Sequence, residues 1–157
     1  MLSVALVEPE IPQNTGNIAR LCAVAKTPLS IVGVTGFRMD DRAVRRAGLD
    51  YWNEVSISRY RDLSELQAAH PSTRLLYFST KGEQSIWDFD FRADDCLVFG
   101  PETRGLPDSL LKANWERCLT IPMLNPNVRS LNLANAVSIA LYEALRQLHH
   151  AGRSVDR

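Results

Sequence analysis

The sequence has little of what marks secreted, metal-binding or membrane proteins. Its 157 residues include only three cysteines, Cys22, Cys96 and Cys118, with no Cys-x-x-Cys pair. That pattern favours buried, reduced thiols over disulfides or a metal site, and the histidines show no ligand spacing. No apolar run approaches the roughly 18 residues of a membrane span, and the start, "MLSVALVEPE", lacks the basic segment of a signal peptide. We therefore expect a soluble, cytoplasmic protein without a bound metal.

The motifs of several common enzyme classes are also missing. No G-x-G-x-x-G follows the first apolar run, and there is no G-x-x-x-x-G-K-S/T. An ordinary dinucleotide site or P-loop is therefore not indicated. There is no G-x-S-x-G either, and no histidine lies near the polar loops described below, so serine or cysteine hydrolysis is not indicated.

What the sequence does contain is an alternation of short apolar runs with helical patterns. Most of the runs are apolar throughout, which is typical of strands covered on both faces in a parallel sheet. The predicted strands are Leu2–Val7, Leu29–Val34, Glu54–Ser58, Leu75–Ser79, Cys96–Phe99 and Cys118–Ile121. The predicted helices are Asn14–Ala25, Asp41–Ala47, Arg61–Ala69, Pro107–Ala113 and Asn132–His149. The sequence thus predicts one doubly wound α/β domain over residues 1–157, with a frayed tail after Gly152.

Polar segments rich in Gly, Pro and Asn follow four of the predicted strands. They are residues 8–20, 80–83, 100–105 and 122–136. Because ligands bind at the carboxyl ends of strands in an open parallel sheet, we expect these loops to converge on one site. Their glycines and prolines expose backbone N–H and C=O groups, which can bind an adenine edge or a ribose.

Simpler structural roles explain these residues when each is taken singly. Asn14 and Asn132 are equally well explained as N-caps of helices. Glu102 and Arg104 are equally well explained as a surface ion pair.

Taken together, three segments resemble the motifs of a known class of enzymes. "NTGNIAR" (14–20), "LVFGPETRG" (97–105) and "IPMLNPNVRSLNLANAVSIALYEA" (121–144) each come at a predicted strand end. They resemble the three motifs of the SPOUT class of RNA 2′-O-methyltransferases, and the likeness runs from Met1 to about Gly152. The short length, "EPEIPQNTGNIARLCA" and "RRAGLDY" are similar to the smallest branch of that class, which modifies the wobble nucleotide of tRNA.

The resemblance implies a fold, a cofactor and a substrate. The fold is an α/β knot, a trefoil in which the last third of the chain threads through a loop. The cofactor is S-adenosylmethionine, without a metal, and the reaction is 2′-O-methylation of nucleotide 34, a cytidine or modified uridine, in leucine tRNAs. The partners are the tRNA anticodon stem-loop and a second copy of the chain, with neither DNA nor a membrane. The implied cofactor-binding residues are Phe78, Thr80, Gly100, Ile121, Met123, Ser130, Leu131 and Asn135.

The resemblance also implies catalytic roles. Because an arginine stays protonated near neutral pH, we expect Arg20 to hold the phosphate beside the reacting ribose and to stabilise the alkoxide. Glu102 anchors the loops or orients Arg20, while Gly100 lets the chain pass close to the cofactor. Tyr142 either serves the proton path or packs in the core or a dimer interface. The implied catalytic residues are Arg20, Asn14, Glu102, Ser130, Asn132 and Tyr142.

An RNA-binding surface must be local, because 18 basic and 18 acidic residues give a formal net charge of zero. A basic rim is predicted from Arg42, Arg45, Arg46, Lys81, Arg104 and Arg129. A solvated helix face explains the first three equally well, and Arg104 is also explained as a partner of the neighbouring loops. The sequence leaves three other functions open: a methyltransferase of this fold acting on another RNA, a non-catalytic RNA-binding protein, and a nucleotide-binding hydrolase.

Overall fold

Seven parallel strands form one sheet in the computed structural model, which describes residues 1–40 and 42–155. The strands are β1 (Ser3–Val7), β2 (Leu29–Val32), β3 (Ile57–Tyr60), β4 (Arg74–Phe78), β5 (Gln84–Ser85), β6 (Asp95–Phe99) and β7 (Cys118–Thr120). Their order across the sheet is β3-β2-β1-β6-β4-β7-β5, and every neighbouring pair is parallel. The prediction of a parallel α/β sheet is therefore confirmed.

Five α-helices and two short 3-10 helices connect these strands. The α-helices are α1 (Pro12–Ala25), α2 (Arg42–Gly48), α3 (Leu63–Ala69), α4 (Asp108–Ala113) and α5 (Leu133–Val155), and the 3-10 helices are Leu49–Glu54 and Trp115–Arg117. Proline at the first position favours the start of α1, since its missing N–H would be unpaired there anyway. The helix ends at Lys26, whose left-handed backbone (φ 52°) lets its N–H close the last turn.

Helices cover both faces of the sheet, which explains why the central strands are apolar throughout. On one face, Ile18 and Cys22 of α1 pack with Val137 and Leu141 of α5 in a single core cluster. On the other face, a second cluster joins strand residues to α3 and α4. All five residues of β6 are buried, because both of its faces and both of its edges are covered.

The structure differs from the sequence prediction at three places. The strand expected at Glu54–Ser58 is β3, shifted to Ile57–Tyr60, because the chain first makes the 3-10 helix that ends at Glu54. A two-residue strand, β5, was not predicted, because so short a run carries no periodicity. The tail expected to fray after Gly152 continues α5 to Val155. The predicted start of α2, Asp41, lies outside the described residues.

None of the helices in the described ranges is long and apolar enough to span a membrane. The longest, α5, has 23 residues and carries charged and amide side chains between its apolar positions.

Candidate active site

A cavity of about 460 Å³ lies at the carboxyl edge of β4, β6 and β7. The loops that follow these strands form its walls, and Ile11 and Asn14 at the start of α1 close one side. Seven of the eight residues predicted to bind the cofactor line it: Phe78, Thr80, Gly100, Ile121, Met123, Ser130 and Leu131. The eighth, Asn135, does not; its backbone N–H donates to Asn132 in the first turn of α5. The expected convergence of the loops is therefore found.

Apolar rings and main chain dominate one end of the cavity. The rings of Phe78 and Phe99, at the carboxyl ends of β4 and β6, are stacked with centroids 4.5 Å apart. The nearest cation, Lys81, is held by Asp108, with 2.6 Å between Nζ and Oδ1, and this pair lowers the pKa of the Asp108 carboxyl. A pocket with apolar walls and a few polar groups suits a flat, polar-edged ligand such as a nucleobase.

Gly100 is needed where the loop after β6 turns back on itself. A Cβ at this position would lie 2.4 Å from the backbone nitrogen of Leu106 and 2.5 Å from the carbonyl carbon of Gly105. The turn is closed by a hydrogen bond from the Gly105 N–H to the Pro101 carbonyl, and Gly105 itself has φ of 66°. The sequence predicted a close approach to the cofactor at Gly100. The structure shows a close approach to the protein's own backbone.

Glu102 anchors this loop to the start of α1. Its carboxylate accepts hydrogen bonds from the backbone N–H of Glu10 at 2.7 Å and of Ile11 at 3.0 Å. It also accepts a longer one, 3.4 Å, from the amide of Asn14. Of the two roles expected for Glu102, the described contacts show the anchoring of loops, and none joins it to Arg20.

A chain of amide hydrogen bonds continues from Asn14 to α5. The Asn14 side-chain oxygen accepts from the amide of Asn132 at 3.0 Å, and the Asn132 oxygen accepts from the Asn135 N–H at 3.2 Å. Asn132 is thus the N-cap residue of α5. The alternative reading of Asn14 as an N-cap is wrong, because α1 begins at Pro12 and Asn14 lies buried inside its first turn.

Two acids after β1 fasten the same loop from the outside, and sequence reasoning did not single them out. Glu8 makes an ion pair with Arg104, 2.6 Å between oxygen and nitrogen. Glu10 accepts hydrogen bonds from the hydroxyl and the N–H of Thr103. Arg104 is therefore a partner of the neighbouring loop, as one of its two readings expected. Only the "EPE" that follows β1 signalled this, since acids directly after a buried strand lie at the site edge.

Arg20 and Tyr142 lie outside the cavity, unlike the other four predicted catalytic residues. Arg20 is exposed on α1, and its guanidinium carbon lies 4.8 Å from the ring centroid of Tyr51. Tyr142 is 49% exposed on α5. The reading of Tyr142 as a core residue is therefore wrong.

Only part of the predicted basic rim is brought together. Arg42 and Arg46 of α2 line a cleft of about 470 Å³ with Gln13 and Asn17 of α1. A neighbouring cleft of about 380 Å³ is lined by Asp40, Arg42, Arg45 and Arg46. Lys81 and Arg104, by contrast, are engaged in the ion pairs described above. Arg129 is exposed in the loop before α5.

The described residues contain no group of three His, Cys, Asp or Glu side chains placed to hold a metal ion. All three cysteines are free and buried, as predicted. Burial raises the pKa of Cys22 to about 12 and that of Cys96 to about 11. These thiols are packing residues rather than nucleophiles.

A parallel sheet with a cavity of main-chain groups at its carboxyl edge defines an α/β protein that binds a nucleotide-like ligand. A model of the SpoU rRNA Methylase family matches residues 1–142, and the chain belongs to that family. The resemblance found in the sequence is thereby confirmed.

Relatives and solved structures agree with this assignment. The tRNA (cytidine(34)-2'-O)-methyltransferases of Escherichia coli and Aeromonas hydrophila are 47% and 45% identical to the chain. Each alignment spans 153 residues, which is 97% of this chain and 97% of the relative.

A structure described as "Structural insights into the 2-OH methylation of C/U34 on tRNA" matches with TM-score 0.90 and 45% identity, covering 96% of this chain and 97% of that one. The SpoU methyltransferase AviRb from Streptomyces viridochromogenes, in complex with AdoMet, matches with TM-score 0.81 and 28% identity. The match covers 94% of this chain and 57% of AviRb.

Proposed function

We propose that the protein transfers a methyl group from S-adenosylmethionine to the 2′-oxygen of nucleotide 34 in tRNA. One observation carries the proposal: the three motif segments surround one cavity in a chain 47% identical, over nearly its whole length, to a tRNA (cytidine(34)-2'-O)-methyltransferase. The expected substrates are leucine tRNAs with cytidine or modified uridine at that position. The expected compartment is the cytoplasm.

The cavity residues fit S-adenosylmethionine. A volume of about 460 Å³ is in the range of small-molecule sites, and the stacked Phe78 and Phe99 bound one end of it. Gly100, Ile121 and Met123 would hold the adenosyl group mainly through backbone groups and apolar contact. Bound there, the cofactor supplies an electrophilic methyl group.

The chain's own side chains would position the ribose. Ser130, Asn14 and Asn132 stand at the cavity, and the Asn14–Asn132 hydrogen bond fixes which way each amide points. We assign Arg20 to the phosphate next to the ribose and to the oxyanion that forms as the hydroxyl loses its proton. Guanidinium N–H groups suit both tasks, and holding the hydroxyl in line removes much of the barrier.

The position of Arg20 supports a homodimer in which each site is completed by the partner. Arg20 and Tyr142 are both exposed and lie outside the cavity of their own chain. Ile139, one helical turn before Tyr142 and its neighbour on the surface of α5, is 42% exposed. A second copy packed on this face of α5 would cover apolar surface and could bring Arg20 to the neighbouring cavity.

The cleft between α1 and α2 supports tRNA binding. Arg42 and Arg46 converge there with Gln13 and Asn17, and guanidinium and amide donors together bind phosphate oxygens. Binding should therefore weaken with salt, and the Arg42→Ala, Arg46→Ala double variant should flatten a plot of log affinity against log salt by roughly two contacts. An unchanged slope would remove these residues from the interface.

We also propose the trefoil knot that the resemblance implies. It is supported by residues 121–132, which pass between β7 and α5 and share one cavity with the loops after β4 and β6.

The test is purified protein with labelled S-adenosylmethionine and total tRNA from a strain lacking the activity, followed by nucleoside mapping. We expect 2′-O-methylation at position 34, whereas label at another nucleotide would reassign the substrate. Arg20→Ala should lose turnover but bind the cofactor with near-normal affinity, while Arg61→Ala, an exposed arginine after β3, should do neither. An Arg20→Ala variant with a near-normal rate would overturn the catalytic assignment.

A further inference from the structure

The Arg20 guanidinium is held by an aromatic ring rather than by an acid. Its central carbon lies 4.8 Å from the centroid of the Tyr51 ring, inside the roughly 6 Å range of a cation–π contact. Among residues 1–40 and 42–155, Arg20 makes no ion pair. Tyr51 is therefore the identified neighbour that restricts where this side chain points.

The Tyr51 ring is itself fixed in place. It belongs to the 3-10 helix Leu49–Glu54, which follows α2, and it is half-buried. Next to it, Trp52 packs against the core cluster beneath α1, as does Val55 just after the helix. These two anchors on the same segment hold the backbone that carries Tyr51. The ring is thus a fixed plate beside an exposed arginine.

Such a plate orients an arginine without using up its hydrogen bonds. A guanidinium has five N–H donors around its edge and none on its faces. Stacking takes one face and leaves the edge available for a phosphate and an oxyanion. An acid in the same place would pair with the N–H groups and neutralise the charge.

We propose that Tyr51 is a positioning residue that stacks on Arg20 and presents its N–H edge to the phosphate and ribose of the substrate tRNA. This inference rests on the proposed function, in which Arg20 contacts the reacting nucleotide. Tyr51 contacts neither the substrate nor the cofactor and acts through Arg20 alone.

Three variants at position 51 test the proposal. Tyr51→Phe and Tyr51→Trp keep an aromatic face, whereas Tyr51→Leu keeps bulk without one. At saturating tRNA and S-adenosylmethionine, Tyr51→Leu should lower the single-turnover rate by about two- to fivefold, which is what the loss of an exposed cation–π contact amounts to. Phe and Trp should stay within about 1.5-fold of wild type. Cofactor affinity should be unchanged in all three.

Two further measurements separate positioning from a merely structural role. In an Arg20→Ala background, adding Tyr51→Leu should cause no further loss of tRNA affinity. The Arg20 Nε–Hε signal in a ¹H–¹⁵N spectrum should carry a ring-current shift that disappears in Tyr51→Leu and survives in Tyr51→Phe.

The outcomes are distinguishable. If wild type transfers no methyl to tRNA, the proposed function fails, and the spectrum alone decides whether Tyr51 holds Arg20. If wild type is active, the inference is overturned when Tyr51→Leu keeps the full rate, when Tyr51→Phe falls as far as Tyr51→Leu, or when the Nε signal does not respond.

Discussion

Glu102 is where a small change should undo most of the cavity. Its carboxylate accepts the N–H groups of Glu10 and Ile11 at 2.7 and 3.0 Å, and so ties the loop after β6 to the residues that precede α1. Hydrogen bonds to a charged acceptor contribute about 1.5–3 kcal/mol each. One of these two is partly buried and the other is exposed, and the Asn14 bond at 3.4 Å adds little. Glu102→Ala should therefore lower the free energy of unfolding by about 2–4 kcal/mol.

Glu102→Gln makes the prediction specific. The glutamine side chain keeps the size but turns one carboxylate oxygen into an NH₂ group, which would then face a backbone N–H. A donor facing a donor leaves that N–H unpaired, so the Gln variant should lose nearly as much stability as the Ala variant. At 2–4 °C per kcal/mol for a chain of this size, both melting temperatures should fall by about 5 to 15 °C.

The assay is thermal and urea unfolding, together with calorimetric titration of S-adenosylmethionine. Both variants should bind the cofactor more weakly, because Gly100 to Leu106 line the cavity. Glu116→Gln, an exposed glutamate in the second 3-10 helix, is the matched control and should change neither quantity. A Glu102→Gln protein that melts within about 2 °C of wild type would show that the carboxylate does not hold the loop.

Three other changes test separate parts of the structure. Gly100→Ala should cost about 1–3 kcal/mol in urea unfolding and abolish cofactor binding, since its Cβ would meet backbone at 2.4 Å; near-normal titration would contradict this. Native protein at pH 8 should resist alkylation, because burial raises the pKa of Cys22 to about 12 and of Cys96 to about 11. Mass spectrometry should find three labelled thiols only after unfolding, and rapid native labelling would count against the burial. Asp95→Ala should cost about 3 kcal/mol in urea unfolding, because the fully buried carboxylate accepts two hydrogen bonds from Arg74 and one from the Arg92 N–H; a loss below about 1 kcal/mol would show that the pair is not needed.

Much of the fold was readable because burial on both faces leaves a direct mark. The run Cys96–Phe99 is apolar throughout, and β6 is the strand with neighbours on every side. β3 was harder to place, because it lies at the sheet edge and its two middle residues are exposed. The strand order was not readable at all, because no local pattern says that β6 lies between β1 and β4. The trefoil knot stays a prediction.

The site divides in the same way. The rule that ligands bind at the carboxyl ends of parallel strands brought the polar loops together correctly. The ion pair of Glu8 with Arg104 could not be predicted, because acids and arginines in exposed loops have many possible partners. Nor could the distance of Arg20 from the cavity. Its place in "NTGNIAR" fixes its helix, but which side of α1 faces the loops depends on packing against α2.

The contacts that build the cavity join parts of the chain that are far apart in sequence. Glu102 bonds to Glu10 across 92 positions, and Asn132 bonds to Asn14 across 118. No wall of the cavity is complete until the last third of the chain has docked against the first helix. A ligand that binds only the assembled cavity must therefore stabilise that docking, by RT ln(1 + [L]/Kd). S-adenosylmethionine at 100 times its Kd should thus add about 2.7 kcal/mol of stability, and its slowing of hydrogen exchange should reach both α1 and residues 121–132.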